Sequence, residues 1–205
     1  MKGLKLKTGA LCLEFANTAD WHGSAHPQEK LQTYRDLVLW AQRIRLLTEQ
    51  DTEKLLAEAE RHPIDAQTAL ERAIALREAI YRIFSAIAHH RPPKISDLAL
   101  LNELLSRALA QLQLKPTPEG FGWAWVERAE ALDWMLWPIV RSTADLLTSS
   151  DLSRVKECAD DRGCGWLFVD MSKNRSRRWC DMESCGNVAK ARRHYQRKRV
   201  KQAPR

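Results

Sequence analysis

The 205-residue sequence predicts a mostly α-helical protein: a helical N-terminal domain with a small β element, then a compact C-terminal module of one β-hairpin and one helix. Three observations carry this. Apolar residues recur at helical spacing through most of the span from Leu37 to Leu147, two short stretches alternate with the period of strands, and four of the five cysteines crowd into the last quarter of the chain.

The elements follow in order. Leu11, Leu13 and Phe15 alternate with Cys12, Glu14 and Ala16, which predicts a short strand over about 9–15 and a loop through His26 and Pro27. Thr33 and Asp36 have the spacing of a capping box, with Leu37, Trp40, Ala41 and Ile44 behind them at helical intervals. Thr48 and Asp51 repeat the signal before Leu55, Leu56 and Ala59, and Pro63 ends that helix. Asp65 is placed to cap a longer helix whose inward stripe runs Ala69, Ala73, Leu76, Ile80, Ile83, Phe84 and Ile87, as far as Pro92 and Pro93. Ser96 is placed to cap the next, with Leu98, Leu101, Leu104, Leu105 and Leu109 inside. Leu112 and Leu114, a turn over 116–122, and Trp123 and Trp125 read as a β-hairpin. From about Glu127 helical spacing returns through Leu132, Met135, Leu136, Ile139, Val140, Ala144 and Leu147. Pro138 must kink this helix or start its second half, because it lacks an N–H. Thr148 to Asp151 ends it and caps a short helix over 152–157. This divides the chain into a helical domain at 1–150 and a second unit at 151–205.

The formal net charge of +7 is unevenly spread. The first 149 residues hold 18 Lys and Arg against 19 Asp and Glu, whereas the remainder holds 15 against 7. The excess positive charge therefore belongs to the C-terminal unit, which points that unit alone towards a polyanion. No run of 18 apolar residues exists, and Glu14 interrupts the first apolar stretch too early for a secretory signal; a cytoplasmic protein with no membrane span is expected.

In such a compartment a local group of thiols suits a metal better than disulfides. Cys158 and Cys164 enclose five residues, Cys180 and Cys185 enclose four, and 15 residues separate the pairs. Two close pairs with enough chain between them to fold back can converge tetrahedrally on one structural Zn2+. Asp160, Asp161 and His194 are weaker alternatives as ligands. Trp166 to Asp170 alternates, Lys173 to Ser176 turns, and Arg178 to Cys180 returns, which predicts a hairpin between the pairs. Cys185 falls at the start of a strongly helical stretch, where free backbone N–H groups favour a thiolate, and Gly186 permits close approach to the sulfurs. The layout is that of a treble-clef-like zinc finger.

Residues 158–199 resemble the CGNR zinc finger, whose name motif stands here as Cys185-Gly186-Asn187 with Val188 in place of arginine. Upstream, LCLEFANT near the start and LWPIVRSTADLLTS before the finger resemble the ABATE domain. The resemblance implies a bacterial transcription regulator linked to stress.

The last helix is expected to pack Val188, Ala191 and Tyr195 on Trp166 and Trp179. Lys190, Arg192, Arg193, Arg197, Lys198 and Arg199, with Lys173, Arg175, Arg177 and Arg178 of the hairpin turn, then form a cationic surface suited to phosphates. Double-stranded DNA is the expected partner, with the helix in the major groove and the protein nucleoid-associated. The alternative is an RNA-binding or protein-interaction adaptor using the same face. One finger offers little contact area, so a homodimer is expected. Glu14, Asn17 and Thr18 are candidates for binding a small-molecule effector, although cap and turn roles are the commoner use of such residues. No phosphate-cradling glycine loop, HExxH or GxSxG is present, so an enzyme is not expected.

Overall fold

The computed structural model describes residues 6–126 and 131–202, apart from the side chains of residues 196, 197 and 199–202. Its elements are α1 (Leu11–Ala16), β1 (Ala19–Asp20), β2 (Gln28–Glu29), α2 (Tyr34–Arg43), α3 (Glu49–Arg61), α4 (Pro63–Ala88), α5 (Ile95–Leu109), β3 (Leu112–Thr117), β4 (Gly120–Trp125), α6 (Leu136–Leu147), β5 (Val155–Glu157), β6 (Leu167–Val169) and α7 (Asn187–Gln202). The fold is mostly α, with three two-stranded antiparallel ribbons among the described residues. No described helix is long and apolar enough to cross a membrane.

Helix α4 is the axis. It touches α1, α2, α3, α5, β5 and β6, and its Ala73, Leu76, Ala79, Ile80, Ile83 and Phe84 are fully buried. α3 ends at Arg61, just before Pro63, and Pro63 also opens α4: its fixed φ suits the first turn and its missing N–H costs nothing there. His62, not Asp65, precedes it as the cap residue, and Lys94, not Ser96, precedes α5. The capping boxes at Thr33/Asp36 and Thr48/Asp51 both form, with reciprocal side-chain and backbone hydrogen bonds. Pro138 lies in the first turn of α6; the predicted helical start at Glu127 falls outside the described residues.

The predicted strand over 9–15 is the short helix α1. Leu11, Cys12, Leu13, Phe15 and Ala16 are all buried and Glu14 alone is half-buried, so the alternation carries no signal. Glu14 accepts the backbone N–H of Thr8 (2.8 Å) and closes the turn. After α6, Ser149 accepts from Asp151 N–H and starts a 3₁₀ turn over Ser150–Arg154, and the predicted helix gives way to β5 at Val155.

β5 pairs with β6, Val155 opposite Val169 and Glu157 opposite Leu167. The predicted pairing of 166–170 with 178–180 is therefore replaced by one further upstream. Val155, Leu167 and Val169 join the same buried cluster as α1, α2, α4 and α6, so this ribbon is fixed by the helical core. Val169 N–H also donates to Thr8 C=O (2.8 Å), and the Asn17 side chain bonds both backbone groups of Leu167.

Candidate metal centre

The β5–β6 ribbon carries the first pair of cysteines in the loop that joins its strands. Cys158 follows β5, and its N–H donates to Trp166 C=O (2.8 Å), so the two chains stay in register around the knuckle that holds Cys164. Gly165 (φ +69°) lies against the loop after β1. A Cβ there would sit 2.6 Å from Gly23 N and 3.0 Å from the Tyr81 hydroxyl, so only glycine lets the two loops close. Asp160 turns the knuckle by accepting from Arg162, through both its N–H (3.0 Å) and its guanidinium.

Cys180 and Cys185 arrive from the other side. Asp181 accepts from Glu183 N–H (2.8 Å) and Ser184 N–H (2.9 Å), and Gly186 N–H donates to Asp181 C=O five residues back. This wide turn over Met182–Gly186 leads directly into α7 and leaves Cys185 buried at the helix start. The close neighbour of Gly186 is the Met182 thioether, not the sulfur cluster.

The four Sγ atoms lie within 4.8 Å of one another. Cys164 to Cys180 and Cys180 to Cys185 are each 3.7 Å, far beyond a disulfide bond. Tetrahedral zinc with Zn–S near 2.3 Å requires sulfur–sulfur edges of about 3.8 Å, so the donor set fits that ion. Cys180 N–H donates to Cys158 Sγ (3.4 Å), and Trp21, Trp166 and Trp179 pack around the sulfurs. Hydrogen bonds from Cys164 and Cys180 hold the Cys158 thiol well below the ordinary thiol range, and that favoured thiolate then pushes Cys164 and Cys180 upward. Burial raises Cys185, helped by its contact with Asp160. Cys158, Cys164, Cys180 and Cys185 form a site for one structural zinc ion, which supplies the charge that lets all four sulfurs ionise.

The predicted cationic residues are placed unequally. Lys173, Arg175 and Arg178 are exposed on the turn after β6. That turn is built on Asp170, fully buried, which accepts from Ser172 N–H, Arg177 N–H and the Lys156 ammonium; Lys156 also donates to the carbonyls of Arg175 and Arg177. Arg177 is turned inward, donating to the carbonyls of Trp179 and Cys180 with its guanidinium 4.3 Å above the Phe168 ring. Lys190, Arg192, Arg193 and Lys198 are exposed on α7, with Arg192 paired to Asp161 (2.8 Å). The side chains of Arg197 and Arg199 lie outside the described residues.

The expected packing of α7 on the tryptophans is not found. Tyr195 is 67% exposed, every residue from Lys190 to Tyr195 is exposed, and Val188 alone of the predicted face is half-buried. The tryptophans are engaged elsewhere: Trp166 Nε1 donates to Asp20 (2.9 Å), and Trp179 packs on the cysteines. Asn17 and Thr18 are buried, Thr18 bonded to Phe15 C=O and Asn17 to Leu167, while Glu14 bonds Thr8. Asp170 and Lys156 were missed; the Asp-x-Ser signature at Asp170 is a recognisable turn former that marks the first of them.

A search of curated proteins finds no match to the chain. Two family models match it in succession: residues 9–150 match ABATE, described as "Putative stress-induced transcription regulator", and residues 154–198 match the CGNR zinc finger. Neither is an enzyme family. The chain belongs to the ABATE family and carries a CGNR zinc finger at its C-terminal end.

Proposed function

We propose that this protein is a DNA-binding transcription regulator whose zinc finger presents α7 to the major groove of duplex DNA. The observation that carries the reading is the state of that helix. Asn187–Gln202 holds seven lysines and arginines and no acidic residue, and it is exposed on every side from Lys190 to Tyr195. A helix polar all round gains nothing from the protein's own core, and at about 1.5 Å per residue its 16 residues extend some 24 Å. Such a rod has the width and charge to enter a groove lined by phosphates.

In this reading Lys190 and Arg193 meet the groove, while Lys173, Arg175 and Arg178 hold the backbone from the turn braced by Asp170. Arg177 serves the knuckle. The engagement of Trp166 and Trp179 around the sulfurs supports duplex over single-stranded partners, because it removes the finger's largest stacking surfaces. The reading includes a homodimer, since one small module covers only about 600–1,000 Å² of contact, and association with the nucleoid. It assigns no effector to Glu14, Asn17 and Thr18, whose polar groups are engaged within the chain.

Fluorescence anisotropy of the full-length protein on random duplex DNA tests it, at two salt concentrations and with a chelator. The expected result is binding that weakens steeply with salt, is lost on chelation, and falls in Lys190→Ala/Arg193→Ala with a salt slope smaller by about 2. Absence of binding at low salt overturns it and leaves the basic face as a protein-docking surface.

A further inference from the structure

The register of β3 and β4 sets Leu112 opposite Trp125, Leu114 opposite Trp123 and Pro116 opposite Phe121. Opposed residues and alternate residues along a strand share one face. These six apolar side chains therefore make one side of the ribbon, and the other side is polar or small. A strand pair with one wholly apolar side is patterned to lie on a core. Among the described residues the root does so, where Trp125 meets Trp137 (5.9 Å between ring centroids). Towards the tip, Leu114 is 59% exposed, Trp123 60% and Phe121 79%, and Trp123 meets the Arg141 guanidinium 5.5 Å from its ring centroid.

We propose that this face is the self-association surface of the protein, covered by the same face of a second copy. Charge favours that occupant. Between Gln111 and Val126 the only ionised side chains are Lys115 and Glu119, so the arm neither repels its own copy nor attracts a polyanion, in contrast to the finger. The available area sets how strong the contact is. Aromatic side chains bury about 150–250 Å² each, so the three exposed side chains offer roughly 400 Å² per copy and about 800 Å² in a symmetric pair. Specific interfaces begin near 1,200 Å² in total; the strand backbones and Arg141 at the rim can supply the remainder. The same patch serves both copies, which is the closed two-fold arrangement that stops at a dimer. An interface of this size at its lower limit makes a dimer that forms with rising concentration.

The inference deepens the DNA-binding reading by assigning the dimer face, but its test needs no DNA, so either can fail alone. Sedimentation of the zinc-loaded full-length chain, from dilute to concentrated, is expected to show the mass rising from one chain towards two. Phe121→Ser, at a side chain that is mostly in solvent, should weaken association at least tenfold with an unchanged circular-dichroism spectrum, and Phe121→Ser/Trp123→Ser should abolish it. A wild type that stays monomeric throughout overturns the proposal, as does a Phe121→Ser protein that dimerises as well as wild type. Monomeric protein that instead binds uncharged phospholipid vesicles through Phe121 and Trp123 overturns it in favour of a lipid surface.

Discussion

The side-chain amide of Asn17 forms a two-point hydrogen bond with the backbone of Leu167, donating to its carbonyl and accepting from its N–H, both at 2.9 Å and both buried. Leu167 is the first residue of β6, so a side chain from the end of α1 takes the place that another strand would occupy. Asn17→Ala leaves a buried N–H and a buried C=O without partners. It is expected to cost about 2–4 kcal/mol in urea unfolding. Asn17→Asp should also destabilise, because it restores the acceptor and sets a second acceptor against the Leu167 carbonyl. A loss below about 1 kcal/mol would show that water reaches this pair.

Removal of zinc should be felt well away from the sulfurs. Val155, Leu167 and Val169 belong to the helical core, so loss of the ion loosens a ribbon on which α1 and α4 pack. Chelation or Cys180→Ser is expected to lower the melting temperature of the helical circular-dichroism signal by at least several degrees, each 1 kcal/mol being worth about 2–4 °C at this size. Mass spectrometry should count one zinc in wild type. Because zinc binds thiolates, acidification should release it, and retention of metal in mild acid by Cys180→Ser would contradict the four-sulfur assignment.

A second acid response belongs to the helical domain. Burial by itself raises the Glu78 carboxyl, but the hydrogen bond and charge of His22, joined by Arg77, outweigh it and hold it at about 2. A carboxyl lowered on folding stabilises above its unfolded value, and that stabilisation is lost as pH falls towards the folded value. The urea midpoint of wild type should therefore decline between about pH 4.5 and pH 2 more than that of Glu78→Gln. Parallel declines would show that Glu78 is not the linked group.

Arg177 and Lys173 are four residues apart and should fail differently. Arg177 ties the carbonyls of Trp179 and Cys180 and covers Phe168. Arg177→Ala is expected to lower thermal stability and zinc retention, with DNA binding weakened as a consequence. Lys173 is exposed, so Lys173→Ala should leave the melt unchanged and reduce the salt slope of DNA binding by about 1. Equal melts for the two variants would remove the distinction between scaffold and contact.

What was legible in the sequence was local. The capping boxes at Thr33 and Thr48 involve partners three residues apart, and the thiol spacing names its own ligands. The stripe of α4 has enough turns for the helical period to stand out. Five of the six residues of α1 are buried and show no strand period, so alternation there misleads. β6 pairs with 155–157, a stretch read as helical, and not with 178–180, because the buried Val155 is held by packing with distant helices that local spacing does not show. The amphipathic reading of α7 failed because the tryptophans offered as its seat are held by Asp20 and the cysteines.

The bond between Val169 and Thr8, with that between Leu167 and Asn17, has a bearing on how the chain is made. Residues 8 to 17 leave the ribosome long before the partners that hold them. Until residues 155–169 emerge, the Asn17 amide lacks its partner, and the long loop must then close at an entropic cost. Helices α2 to α5 can assemble during synthesis, but the seat of Asn17 is completed only by β6. Capture of the ion, whose ligands Cys180 and Cys185 emerge later still, is thus placed after that closure, as the step that locks segments far apart in sequence together.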